Sequence, residues 1–251
     1  NMFAPNRIAP VLVLALTALA AGGCSDPAAT APKAEVGTAK PVAAKSAAPT
    51  ATATASAAAS AAATGGDTAA PAAPAAADAA PTKPANAVDL SAGPSKIEWT
   101  GSKVTGKHDG SFEKFSGWIA VDGDKAEDAK IFVEIDMSSV KSDSEKLDGH
   151  LKSDDFFAIE KHPKATFVLT EVKPGGDGGA THTISGNLTL RGVTKGISFP
   201  ATVKLDAAEI AAKAEFSINR KDFGIEYAGK QDDLIRDDVV IRLDLKAPRK
   251  G

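Results

Sequence analysis

Two pairs of histidine and aspartate are the side chains of this sequence that could transfer protons in a reaction. His108 is followed by Asp109, and Asp148 precedes His150 by two residues. A histidine held by a carboxylate can act as a general acid or base, because its pKa lies near neutral pH. Neither pair belongs to a recognised catalytic motif, and the sequence has no G-x-S-x-G, H-E-x-x-H or phosphate-loop signature. We therefore predict that the protein is not an enzyme, with a hydrolase using Asp148 and His150 as a minor alternative.

The composition offers no support for metal, cofactor or nucleic-acid binding. The four histidines lack the spacing of a metal site, and the single cysteine cannot form a disulfide within the chain. The 29 basic and 32 acidic residues give a formal net charge of −3, which provides no attraction for a phosphate backbone. We expect no metal, no cofactor and no nucleic-acid partner.

The cysteine follows an apolar run that has the features of an export signal. Arg7 precedes apolar residues 8–21, a run shorter than the roughly 20 residues of a membrane span, so residues 1–23 are predicted to be a signal peptide. The sequence LAAGGC that ends at Cys24 resembles the lipobox of bacterial lipoproteins, in which the cysteine is acylated. Ordinary cleavage after Ala20, which would leave Cys24 as a free thiol, is the alternative.

Acylation of Cys24 would fix the protein to a membrane. Several acyl chains, at about 0.8 kcal/mol per buried methylene, hold a protein on a bilayer stably. Ser25 follows the cysteine and is the kind of residue that permits transfer to the outer membrane in Gram-negative bacteria. We expect an exported, periplasmic lipoprotein, on the outer membrane if the source is Gram-negative.

The chain changes composition near residue 89. Residues 24–89 are rich in Ala, Pro and Thr, and scattered proline breaks every potential helix. This segment is predicted to be a disordered linker that lets the domain work well away from its anchor. Residues 90–251 contain both tryptophans and nine of the ten phenylalanines and are predicted to form one folded domain.

Apolar residues alternate with polar ones throughout that domain, which is the pattern of antiparallel strands with one apolar face. The alternation predicts an all-β fold of about eight strands, closed into a barrel because closure leaves no free edges. Ser142 and Glu145 have the spacing of a capping box, which predicts a short helix that covers one end of the barrel.

Several residues on the predicted inner face are small, namely Gly117, Gly186, Ala201, Ala212 and Ala214. Small residues leave volume for a thin apolar ligand, but they also relieve crowding where strands bend. The pattern alone leaves both interpretations open.

Four stretches of the domain resemble the YceI-like, polyisoprenoid-binding family of exported bacterial proteins. They are KFSG at 114–117, DGHLKSDDFF continuing to HPKATF at 148–167, GNLTLRGVTK at 186–195 and INRKDFG at 218–224. The resemblance implies a lipocalin-like barrel that encloses a long isoprenoid or other amphiphilic chain, and it favours the ligand tube. The family usually has Arg where this chain has Leu147, so a headgroup contact from that position is not expected here.

The sequence and the resemblance together predict a binding protein for a polyisoprenoid, a quinone or another long amphiphilic lipid. The alternative is a structural or interaction module of the cell envelope with a solid barrel. His150, Arg191 and Arg220 are expected to contact the headgroup or the lid. The predicted ligand contacts in the barrel interior and at its mouth are Trp99, Phe115, Ile119, Phe156, Phe157, Phe167, Leu188, Leu190, Phe199, Val203, Phe216, Ile218, Val239 and Ile241.

Overall fold

The computed structural model of the protein describes residues 26–42 and 80–249. Cys24, the predicted signal peptide and most of the predicted linker lie outside the described residues. Within the two described ranges, no helix has both the length and the apolar character needed to cross a membrane.

The described residues form β-strands joined by short turns, with a single α-helix among them. The helix α1 is Glu145–Lys152, and short 3-10 helices occur at Pro27–Ala29, Ala126–Asp128, Met137–Ser139, Asp177–Gly179 and Arg220–Phe223. The strands are β1 Glu35–Thr38, β2 Val88–Ser91, β3 Lys96–Lys103, β4 Gly106–Phe112, β5 Phe115–Ala120, β6 Lys130–Asp136, β7 Val140–Ser142, β8 Lys164–Pro174, β9 His182–Leu190, β10 Val193–Leu205, β11 Glu209–Asn219, β12 Gly229–Lys230, β13 Asp233–Leu234 and β14 Asp238–Pro248.

One curled antiparallel sheet contains most of these strands. Its hydrogen-bonded order is β2-β5-β6-β8-β9-β10-β11-β14-β3-β4-β7, and β1 pairs with the edge of β10. Strands β12 and β13 form a separate two-stranded sheet. The predicted all-β, antiparallel fold with one short helix is confirmed.

The period-2 alternation places the apolar side chains on the concave face of the sheet. On β11, for example, Ile210, Phe216 and Ile218 are buried inside, whereas Lys213 and Glu215 are exposed outside. The ring of Phe216 stacks on that of Phe199 from β10, with centroids 4.1 Å apart. The longest strands therefore share one apolar interior.

Residues 26–42, which we call the strap, pack against the domain, and part of the strap pairs with the sheet. Strand β1 pairs with residues 195–198 of β10, and Asp26 forms an ion pair with Arg236 at 3.2 Å. This differs from the prediction of one disordered linker over residues 24–89. The alternation in the strap is carried by Ala34 and Val36 alone, which is too short a signal to stand out in an alanine-rich segment.

Candidate functional site: an apolar cavity under a helical lid

A cavity of about 260 Å³ lies between the concave face of the sheet and α1. Strands β3, β5, β6, β8, β9, β10, β11 and β14 all contribute side chains to its wall, and Leu151 and Phe156 cover one end. Thirteen of the fourteen residues predicted as ligand contacts line it. They are Trp99, Ile119, Phe156, Phe157, Phe167, Leu188, Leu190, Phe199, Val203, Phe216, Ile218, Val239 and Ile241.

Phe115 is the residue of that set that the structure places elsewhere. It is buried in a cluster with Val88 and Leu90, the inward residues of β2. Strand β2 pairs directly with β5 and covers the end at which Phe115 lies. This side chain therefore belongs to the packed part of the core beside the cavity.

The cavity wall is almost entirely apolar. Its charged lining residues are Lys213 and Arg220. The ammonium of Lys213 points away, because that side chain is 65% exposed and pairs with Asp244 at 3.2 Å. The interior can therefore hold a hydrocarbon chain but provides few polar contacts.

Arg220 is buried at the edge of the cavity, and its donors are already used. Its Nε donates to the carbonyl of Arg236 at 3.1 Å, and its Nη1 donates to that of Ile225 at 2.7 Å. Its Nη2 donates to Asp237 at 3.2 Å. Burial lowers the pKa of the Arg220 guanidinium, and the charge of Asp237 opposes that effect. This arginine clamps the segment after β11, and contact with a ligand headgroup stays a prediction for it.

The small residues of the predicted inner face serve two different purposes. Ala201, Ala212 and Ala214 line the cavity. A Cβ at Gly117 would overlap the carbonyl of Phe132, and one at Gly186 would overlap the ring of Phe167. The alanines leave volume free, whereas the two glycines allow close packing.

Helix α1 is fixed over the cavity by a buried carboxylate. Asp148 accepts hydrogen bonds from the backbone N–H of Ser142 at 2.6 Å and from its hydroxyl at 2.7 Å, and it pairs with Lys141 at 3.2 Å. These contacts, the side-chain bond from Ser142 first, hold the pKa of Asp148 below its ordinary value against the opposing effect of burial. The predicted capping box is wrong in detail: Ser144 is the N-cap residue, and the hydroxyl of Ser142 accepts from the N–H of Ser144 at 3.1 Å and bonds Asp148, with no hydrogen bond to Glu145.

His150 and Arg191 lie at the lid but outside the cavity lining. Nε2 of His150 is 2.9 Å from a carboxylate oxygen of Asp155, and its ring contacts Phe156 and Tyr227 edge-on with centroids 4.9 Å away. Arg191 donates to the carbonyls of Asp154, at 2.8 Å, and Gly224. Both side chains therefore connect the loop after α1 to neighbouring turns, and a contact of either one with a ligand headgroup stays a prediction.

The structure does not bring the members of either histidine–aspartate pair together. Nδ1 of His108 lies 2.7 Å from Asp143, whereas Asp109 accepts from the hydroxyl of Thr100 at 2.6 Å. Asp148 and His150 likewise have the separate partners described above. Among the described residues, no three His, Cys, Asp or Glu side chains are placed to hold a metal ion.

Sequence reasoning missed several lining residues that lie outside the long strands. Leu151, Ile225 and Ile235 line the cavity from α1, the loop after Phe223 and the segment after β13. The last two lie outside any alternating run, so no periodic signal identifies them. The apolar face of the short helix could have identified Leu151.

Comparisons with known proteins are consistent with this architecture. The model of the YceI-like domain matches residues 89–247, which leaves the strap outside the match. A curated UPF0312 protein of Pectobacterium atrosepticum is 41% identical over 128 residues, which are 46% of this chain and 62% of that protein. A UPF0312 protein of Pseudomonas putida is 33% identical over 138 residues, which are 53% of this chain and 71% of that protein.

Two solved structures share the fold. Burkholderia cenocepacia BcnA superposes with a TM-score of 0.55 at 26% identity, covering 61% of this chain and 96% of that one. A domain from Saccharophagus degradans, described as polyisoprenoid binding and implicated in plant cell wall breakdown, gives a TM-score of 0.52 at 19% identity, covering 66% of this chain and 99% of that one. The second likeness shows the fold alone.

Proposed function

Because this chain belongs to the family of proteins with a YceI-like domain, we propose that it is a binding protein without enzymatic activity that holds a long lipid chain inside its sheet. The ligand class is a polyisoprenoid, a quinone or another long amphiphile. The observation that carries this proposal is the central cavity with its nearly continuous apolar lining. A ligand with a long hydrocarbon part matches such a wall, whereas a polar metabolite would leave its hydrogen bonds unmade.

An empty cavity of this kind is unfavourable for the protein. At ~24 cal/mol per Å³, a void of about 260 Å³ destabilises the folded state by roughly 6 kcal/mol compared with a filled interior. Water gains little there, because an apolar cavity offers it no hydrogen-bonding partners. An apolar chain that fills the space would recover much of that free energy, which gives the fold a reason to bind one.

The finer part of the proposal is a closed, lipocalin-like barrel of eight strands. Residues 113 and 114 alone separate β4 from β5, so these two strands can be counted as one bent strand. The pairs β2–β3 and β6–β7 can be counted in the same way. The bent strand β2–β3 then pairs with β14 on one side and with β4–β5 on the other, and β4–β5 pairs with β6–β7, so no open edge is left between β14 and β6. The hydroxyl of Ser95, between β2 and β3, also donates to the carbonyl of Lys246 on β14 at 3.0 Å. Closure around the cavity would keep water away from the bound chain.

We further propose export and anchoring through an acylated Cys24. Only Ser25 lies between this cysteine and Asp26, whose carboxylate pairs with Arg236 on the folded domain. The two residue steps from Cys24 to Asp26 span at most about 7 Å. An anchor at Cys24 would therefore hold the domain close to the membrane surface.

Lipid extraction tests the binding proposal. The chain would be purified from a bacterial host without added detergent, extracted with organic solvent, and the extract analysed by mass spectrometry. We expect about one apolar lipid per protein molecule. The matched control is Ala212→Phe, which places a ring in the cavity and should carry little or no lipid. A folded wild-type protein that yields no lipid and takes up none from vesicles would contradict the proposal.

Anchoring needs its own measurement. The intact mass of the membrane-associated protein should show acylation that is absent from Cys24→Ser. Release of both forms into the soluble periplasmic fraction would argue for ordinary signal cleavage instead.

A further inference from the structure

The sheet has a slit in its wall between β10 and β11. Thr202 of β10 pairs with Lys213 of β11, and the ladder between them extends over residues 202–205 and 210–213. If it continued in the same register towards residue 193, Ser198 would face Ser217. It does not, although β9 still pairs with β10 over residues 193–201 and β14 pairs with all of β11. The two strands therefore separate below Thr202.

The strap fills this slit as an inserted strand. Glu35 occupies the position opposite Ser198, and the N–H of Ala34 donates to the carbonyl of Ser217 at 2.8 Å. On the same edge, the N–H of Ser217 donates to the carbonyl of Pro32 at 2.8 Å. The backbone at residues 32–38 thus satisfies groups of both separated strands, which the domain itself leaves unpaired.

The strap packs on residues of the cavity wall. Ala34 is buried against a cluster that includes Ile197, Phe199 and Phe216, and Val36 packs on the same cluster. Those three cluster residues, from β10 and β11, line the cavity. Removal of the strap would uncover them and the gap between the two strands.

The strap buries few large side chains. Its buried apolar side chains are alanines, Ala28, Ala31 and Ala34. Its pair between Lys33 and Asp238, at 3.0 Å, is exposed to solvent, where ion pairs contribute little. Segments with few buried contacts open at lower free energy than the core.

We propose that the slit between β10 and β11 is a side entrance for the lipid chain and that residues 32–38 of the strap are its gate. This inference rests on the proposed lipid-binding function. The gate opens when the strap leaves the edges of β10 and β11, the chain passes between the strands, and the strap pairs again behind it. The strap lies outside the residues that match the YceI-like domain, so the proposed gate is not part of the matched domain.

A disulfide that locks the strap tests the gate. Glu35 and Ser198 are direct cross-strand partners whose side chains point outwards, so Glu35→Cys with Ser198→Cys can form a bridge without filling the cavity. The full chain would carry Cys24→Ser to remove the native thiol. The control bridge joins Thr189→Cys and Thr194→Cys, whose hydroxyls lie 2.9 Å apart across β9 and β10, on the edge of β10 opposite the slit. The readout is the rate at which cis-parinaric acid enters and leaves the protein, followed by its fluorescence.

We expect the oxidised strap lock to slow both entry and exit at least ten-fold compared with its reduced form, while the equilibrium affinity stays within two-fold. The control bridge should change neither rate by more than two-fold. Equal rates in the oxidised and reduced strap lock would overturn the gate and indicate entry past α1. Failure of every variant to bind the probe would overturn the binding function, and the gate with it.

A loosened strap should have the opposite effect. A Cβ at Gly196 would lie 2.6 Å from the carbonyl oxygen of Thr38, so Gly196→Ala pushes the strap away from β10. Its partner Gly37 has no atom within 4 Å of a built Cβ and supplies the matched control Gly37→Ala. We expect Gly196→Ala to speed probe entry several-fold and Gly37→Ala to leave it unchanged. Unchanged entry in Gly196→Ala, with faster exchange of the strap amides, would refute the gate.

Discussion

Replacement of Ala212 by phenylalanine decides between a hollow and a solid interior by the sign of the stability change. Ala212 lies on β11 between its cross-strand partners Val203 and Leu245, and its side chain faces the cavity. In a solid core, an added ring overpacks the interior and destabilises the protein by about 1–3 kcal/mol. In a hollow one, the ring enters free volume and gains apolar contacts.

The structure gives the expected size of the stabilisation. If the ring fills about a third of the cavity of about 260 Å³, the gain at ~24 cal/mol per Å³ is roughly 2 kcal/mol. For a domain of this size, each kcal/mol raises the melting temperature by ~2–4 °C, so Ala212→Phe should melt about 4–8 °C higher when free of lipid. The same ring should lower the affinity for a fluorescent fatty-acid probe at least ten-fold, because it occupies the site.

The assay is urea and thermal unfolding of lipid-extracted protein, together with titration of the probe. Ala211 is the matched control, since it lies next along β11 and faces outwards between Lys204 and Lys246. Ala211→Phe should change neither stability nor probe affinity appreciably. A loss of 1 kcal/mol or more in Ala212→Phe, with a neutral Ala211→Phe, would refute the hollow interior and favour a structural module with a packed barrel.

Four further substitutions test the supports of the cavity. Gly110→Ala should destabilise the domain by about 2 kcal/mol or more in urea, because its Cβ would overlap the indole packed on it, whereas Gly149→Ala in α1 meets no atom and should stabilise by up to about 1 kcal/mol. Asp148→Ala should loosen α1 by about 1–3 kcal/mol in amide exchange. Since the folded-state pKa of Asp148 is lowered, wild-type α1 keeps this stabilisation above the ordinary carboxyl pKa of about 4 and loses it as the pH falls through the lowered pKa, so the two proteins should converge in acid. Arg220→Met should cost at least about 3 kcal/mol in urea unfolding, because it leaves several buried carbonyls without donors, and it should not change which lipid is extracted.

The inner wall could be predicted because its signal is local. On β9 and β14, each apolar residue alternates with a polar one, so Leu188, Leu190 and Ile241 could be assigned to the inside without knowledge of their neighbours. Phe115 obeys the same alternation but does not line the cavity, because β2 covers it. Which inward residues face a void depends on long-range packing, and no alternation pattern contains that information.

The two histidine–aspartate candidates do not form pairs, for a geometric reason that is visible in the secondary structure. His108 and Asp109 are consecutive on β4, so their side chains point to opposite faces of the sheet. Asp148 and His150 are two residues apart on α1, a spacing that does not bring side chains together on a helix. Proximity in sequence made both pairs candidates for proton transfer, whereas the local backbone directs each side chain to a different partner.

The strap could not be predicted, because the reason for its order lies in other strands. Ala34 and Val36 form a strand only because β10 and β11 separate and leave their edges unpaired beside them. The ion pair at the start of the strap also determines where the proposed anchor would lie. With Asp26 fixed to Arg236, an acylated Cys24 would hold the first residue of the strap within about 7 Å of the anchoring point. The gate at residues 32–38 begins eight residues from Cys24, which span at most about 29 Å, so a lipid that leaves through the slit would emerge near the bilayer to which the protein is anchored.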